Sequence, residues 1–124
     1  MLIVRDRASG VWDLPGGRVA DSEFHDLEAA LQREVVEELG DCLELEIEAR
    51  PLIVSPLTVL AGGIGVIGVA YEAWLRAGEV RLSDEHDDME WVRVDSYDPM
   101  CHYQGSGLLP FVECYLSHAR SRRS

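Results

Sequence analysis

Residues 33–40 read REVVEELG, and the reading of this stretch decides the fold. Upstream of it Leu27, Leu31, Val35 and Leu39 recur every four residues. Asp26 is placed to cap the N-terminus and Gly40 to stop the C-terminus, so the spacing predicts a helix over 26–39. With Leu31 at zero and about 100° per residue, Leu27 and Val35 lie within about 40° of it and Leu39 at about 80°. Glu38 then falls at about −20°, inside the apolar arc, Glu34 at about −60° on its shoulder, and Glu37 near −120°, just beyond. A solvated acidic face would point away from the leucines. This one overlaps them, and it does so at the helix pole where anions are disfavoured.

Partly burying several carboxylates is costly unless something positive compensates. Arg33 precedes Glu37 by one turn and can pair with it, yet one guanidinium does not neutralise three glutamates. A divalent cation does. Clustered carboxylate oxygens without softer ligands favour Mg²⁺ or Mn²⁺ over Zn²⁺.

Outward from the helix, LPGGRVADS (14–22) reads as a loop, by its proline, glycines and small polar residues. Residues 2–4 form a candidate strand, with Ser9-Gly10 as a turn into 11–14. The alternation LELEIE (43–48) marks a half-exposed strand, 64–76 a more buried one, and MEWVRV (89–94) another short one. Pro110 suits the first position of a final helix, whose trailing Arg120, Arg122 and Arg123 read as a frayed, solvated tail or as charges suited to the helix C-terminus. This order gives an α/β (α+β) domain with a mixed sheet between helices, one domain over 1–124. The run GIGVIG matches a dinucleotide-binding spacing at Gly63, Gly65 and Gly68, but it lies inside a β-rich stretch with no helix to follow. Glycines that thin a strand for the close approach of another element are the better account.

The 124 residues carry a net charge of −12, which repels nucleic-acid backbones and disfavours duplex binding. All 11 basic residues are arginine, so phosphate grip falls to guanidinium forks, backbone amides or cations. No stretch has the length of a membrane span or the shape of a signal peptide, and the expectation is a soluble cytoplasmic protein. Cys42, Cys101 and Cys114 read as buried free thiols, Trp12, Trp74 and Trp91 as core residues, and the four scattered histidines suggest no metal site.

The helix and the loop before it resemble the signature of the Nudix hydrolases, G-x5-E-x7-R-E-U-x-E-E-x-G-U with U a bulky apolar residue. Gly17, Glu23, Arg33, Glu34, Val35, Glu37, Glu38 and Gly40 fill its positions in order, LPGG precedes them, and LSDEHDDMEWV (82–92) is similar to a downstream acidic loop and Trp-bearing strand of that family. Two departures stand out. Glu23 and Arg33 are separated by nine residues instead of seven, and Asp41 follows Gly40 where an apolar residue is usual.

The resemblance implies a Nudix-like mixed β-sheet sandwiched between helices, here lacking the usual first strand. The sheet edge so exposed would be covered by a second copy, as a homodimer, or by the C-terminal segment. It also implies a metal-dependent hydrolase that cleaves the diphosphate linkage of a nucleoside diphosphate joined to another group. The cofactor would be Mg²⁺ (or Mn²⁺), held by the Gly17 carbonyl and by Glu34, Glu37 and Glu38, with Glu85 from the later loop, or its rivals Asp84, Asp87 and Asp88, as a further ligand. Glu34 or Glu37 would orient or deprotonate the water. Arg33 would hold the glutamates and pair with Glu23. Arg5, Arg7 and Arg18 would grip substrate phosphates. A Nudix-like domain that binds a nucleotide for regulation without cleaving it is the alternative.

Overall fold

The structure, a computed structural model, describes residues 1–59 and 62–123. The chain divides into two compact units. The first contains Met1–Glu44 and Leu75–Val92, the second Leu45–Trp74 and Arg93–Ser124.

In the first unit, β1 (Leu2–Asp6) pairs antiparallel with β2 (Trp12–Asp13) on one side and β7 (His86–Trp91) on the other. The β1–β2 turn closes as the sequence suggests. Asp6 N–H donates to the Val11 carbonyl, Ser9 donates to the Asp6 carboxylate, and Gly10 takes a φ of 69°. Because β1 is paired on both sides, the outer edges of this sheet belong to β2 and β7. Ile3 and Val4 are fully buried. The helix α1 (Leu27–Leu39) begins at Asp26, whose side chain accepts from Ala29 N–H at 3.1 Å.

The second unit is built on β4 (Ile53–Val59) and β5 (Gly65–Ala70), an antiparallel pair, with the short α2 (Met100–Tyr103) and the long α3 (Leu109–Arg123). Tyr103, Phe111, Val112 and Leu116 form its core. The strands β3 (Glu44–Ile47) and β6 (Ala73–Ala77) carry the chain from one unit to the other and back. β3 alternates exposed glutamates with half-buried Leu45 and Ile47, as its sequence predicts.

Several expectations need correction. Residues 64–76 are not one buried strand: the chain breaks at Tyr71–Glu72 into β5 and β6, and Ile64 and Ile67 are exposed. Trp74 and Trp91 are exposed, and Trp12 is half-buried. Trp12 lies beneath the Arg5 guanidinium at 5.9 Å and Trp74 beneath that of Arg122 at 5.1 Å, so two of the rings serve as platforms for cations. The cysteines are free, as expected, but Cys42 and Cys101 are exposed. The C-terminal arginines are no frayed tail. Arg120 donates to the carbonyls of Val94 and Tyr97, and Arg122 forks onto the buried Glu72 carboxylate, at 2.9 Å for Nη1.

The GIGVIG run behaves as strand thinning at one position. A Cβ on Gly68 would stand 2.5 Å from the Phe111 ring, so α3 approaches β5 only because that side chain is missing. Gly68→Val is therefore expected to lower the unfolding free energy by about 1–3 kcal/mol, as overpacking does, in urea titrations followed by circular dichroism. An unchanged midpoint would show that Phe111 has room to move.

Candidate functional site

The α1 face follows the sequence wheel. Leu39 and Glu38 are buried, Glu34 is half-buried, and the Glu37 side chain is 58% exposed. At the end of α1 the carbonyls that lack intrahelical partners are met by the chain entering the acidic loop: Arg81 N–H donates to Leu39 O at 2.8 Å and Ser83 N–H to Glu38 O at 3.0 Å. These two bonds set residues 83–86 beside the glutamates.

The LPGG loop comes in against the same face. Gly16 N–H donates to Glu38 Oε2 at 2.8 Å, from a φ of 153° that only glycine tolerates well. At Gly17 any Cβ would overlap the Glu34 carboxylate. The two glycines thus hold loop backbone directly against Glu34 and Glu38.

Arg33 organises the rest. Its Nε and Nη2 fork onto Glu23 at 2.5 and 2.8 Å, its Nη1 reaches both oxygens of Glu37 at 3.1 Å, and Nη2 stands 3.0 Å from Glu34. The Glu23–Arg33 pairing therefore survives the longer spacing. The two extra residues are absorbed by a single 3₁₀ turn at Asp21–Glu23 and by Phe24 and His25, which protrude, Phe24 being 79% exposed. Arg33 holds the Glu23 carboxyl down at about 2, chiefly through that hydrogen bond.

Glu38 is the opposite case. It is 8% exposed, and burial pushes its pKa up to about 7, with the nearby charges of Asp13, Glu34 and Glu85 adding to the shift. One of its oxygens has the Gly16 amide. The other, Oε1, stands 4.0 Å from Nε2 of His86, a buried histidine at the start of β7.

The remaining site residues named from the sequence are placed as follows. Glu85 is exposed on the loop, close enough to bear on Glu38. Arg5 pairs with Asp87 at 2.8 Å. Arg7 ties the acidic loop down: its amide donates to Glu85 O, its Nε to Asp84 O, both at 2.8 Å. Arg18 is exposed beside the glycine loop and offers its carbonyl to Arg33 at 3.2 Å.

The NUDIX domain family model matches residues 1–109. The chain belongs to the Nudix hydrolase family. Among solved structures it is similar to an ADP-ribose pyrophosphatase from Streptococcus suis, at 21% identity and a TM-score of 0.62, over 96% of this chain and 81% of that one. A UDP-X diphosphatase gives 17% identity and a TM-score of 0.65, over 94% of this chain and 57% of that one, so this chain spans little more than half its length. At these identities the likeness speaks for the Nudix fold alone. No curated protein matches. Among the described residues no helix is long and apolar enough to cross a membrane.

Whether this Nudix site suits a divalent cation is a question of donors. Among the described residues no three His, Cys, Asp or Glu side chains converge as ligands, since Glu34 and Glu37 are turned to Arg33. The chemistry nevertheless fits a hard cation. Among the described residues the buried carboxylate of Glu38 meets no arginine but a histidine 4.0 Å away, and Glu34 rests against glycine backbone whose carbonyls are further oxygen donors. His86, to which the sequence assigned no chemistry, is brought beside Glu38. Its only signal was position, directly after Glu85 in the acidic loop.

Proposed function

We propose that this Nudix chain is a cytoplasmic hydrolase of the diphosphate linkage in a nucleoside diphosphate joined to another group, working with Mg²⁺ or Mn²⁺. The observation that carries the reading is the buried carboxylate of Glu38 on the Nudix helix, beside Glu34 at the glycine loop. The names of the two structural neighbours point to the same substrate class, a nucleoside diphosphate with a variable second group.

Glu38, Glu34, Glu37, the Gly17 carbonyl and Glu85 would hold the cation, which when bound neutralises phosphate oxygens and makes water a better nucleophile at neutral pH. In the reaction water adds to one phosphorus, the bridging P–O bond breaks, and the proton goes to a carboxylate, for which Glu34 and Glu37 are the candidates. Arg33 holds both, and its fork onto Glu23 fixes its own position. Release of Glu34 and Glu37 from Arg33 is then part of forming the loaded site. Arg18, on the exposed side of the glycine loop, grips substrate phosphate. Arg5 and Arg7 reach substrate only by leaving Asp87 and the loop carbonyls.

The grip of Arg33 on two of the glutamates also favours a second reading, a nucleotide-binding regulatory domain. One experiment separates them. Product release is measured with Mg²⁺ over a panel of ADP-sugars, UDP-linked compounds, deoxynucleoside triphosphates, dinucleoside polyphosphates and capped RNA ends. Turnover of a nucleoside diphosphate derivative establishes the enzyme. Saturable binding without turnover across the panel would replace it with the regulatory domain.

A further inference from the structure

Resting on the cation-binding reading of Glu38, we infer that His86 is a positioning residue for that carboxylate, donating its Nε2 hydrogen to Glu38 Oε1 when the cation is bound. His86 is 4% exposed, and its Nδ1 has no hydrogen-bond partner among the described residues. A neutral imidazole has one N–H donor and one bare nitrogen. With Nδ1 lacking any acceptor, the hydrogen is best placed on Nε2, whose neighbour is a carboxylate oxygen 4.0 Å away. The gap exceeds a hydrogen bond by about 1 Å, a distance that small side-chain rotations close.

The backbone holds the ring at this spot. His86 N–H donates to Ser83 O, its own carbonyl lies 3.5 Å from Arg7 Nη2, and it faces Asp6 across the β1–β7 ladder at the point where the register shifts. Glu38 Oε2 already has the Gly16 amide, so Oε1 is the oxygen in need of a donor. A carboxylate that ligates a cation is generally oriented by such an outer partner, and loss of the partner weakens binding about 10–100-fold. A histidine serving only to fill the core would have no need of a carboxylate facing its Nε2. Phenylalanine would fill the same space without a buried, unpartnered nitrogen.

The test is a titration of the metal-free protein with Mn²⁺ alone at fixed pH, free ion being read by electron paramagnetic resonance. His86→Phe is expected to raise the dissociation constant about 10–100-fold. His86→Gln, whose amide nitrogen stands near the place of Nε2, is expected to return it to within a few-fold of the parent. Should His86→Phe fail to fold, His86→Asn takes its place, because its amide is one bond too short. Parent-like binding by His86→Phe, with binding lost in Glu38→Gln, would overturn the inference and leave the metal site standing. Equal weakening in Gln and Phe variants would also overturn it, by showing a role in packing alone. Parent-like binding by Glu38→Gln would remove the metal site itself and the inference with it.

Discussion

Glu38→Gln is expected to cut turnover of a nucleoside diphosphate derivative by a factor on the order of 10³, while leaving the metal-free protein at least as stable as the parent at pH 8. The first effect follows from removing one charged oxygen donor from the group that holds the cation, whose electrostatic contribution to the transition state is several kcal/mol. The second follows from burial. The folded-state pKa of Glu38 is raised from 4.5 to about 7, so the folded protein holds a proton there that the unfolded chain gives up. That contribution to stability is complete below pH 4.5 and is lost as the pH rises through about 7. The displacement corresponds to about 3 kcal/mol. The metal-free parent should therefore weaken over this window, and Glu38→Gln should not. Added Mg²⁺ should raise the melting temperature more at pH 8 than at pH 5.5, since at the lower pH it must displace the proton. Thermal melts at both pH values, with and without Mg²⁺, give the answer. A parent protein whose stability is flat from pH 4.5 to 7, with no larger Mg²⁺ response at pH 8, would contradict this account of Glu38.

The Gly17→Val substitution should abolish most of the activity for a different reason. The Glu34 carboxylate occupies the space a Cβ would need, so either the carboxylate or the loop must move. Displacing a catalytic group by about 1 Å costs on the order of 10²-fold in rate. A larger residue at Gly17 thus lowers kcat far more than it raises KM. Gly65→Ala is the control: a Cβ there meets nothing within 4 Å, and it lies in the other unit. It should change neither activity nor melting temperature. Parent-like kcat for Gly17→Val would mean that Glu34 works from some position other than against the loop.

Much of the site is legible in the sequence, because α1 is governed by local rules. Its start at Asp26, its stop at Gly40 and the descending burial of Glu38, Glu34 and Glu37 all follow from spacing within one helix. The Glu23–Arg33 pair was named as well, although not how a 3₁₀ turn and a protruding Phe24 take up the additional length. Strand limits were read less well. β-branched residues alternate with glycine and alanine from 64 to 70 and aromatic residues follow as far as Trp74, and nothing in that pattern marks the break at Tyr71–Glu72, where Glu72 meets Arg122 fifty residues away. The same partner explains why a tail rich in arginine is ordered. Two of the three tryptophans assigned to the core, Trp12 and Trp74, are instead laid under guanidinium groups, a contact that hydrophobicity does not encode.

By itself the sequence determined the helix, its acidic face, the glycines before it and the family that this combination marks. These depend on residues within a few positions of one another, where the 3.6-residue period fixes which side chains share a side. Only the tertiary structure decided which partner each charge takes: Glu34 and Glu37 on Arg33, Glu38 between Gly16 and His86, Arg7 on the loop carbonyls, Arg122 on Glu72. Such pairings join segments far apart in the chain, and their geometry depends on where strands and loops are brought together, which no local pattern records.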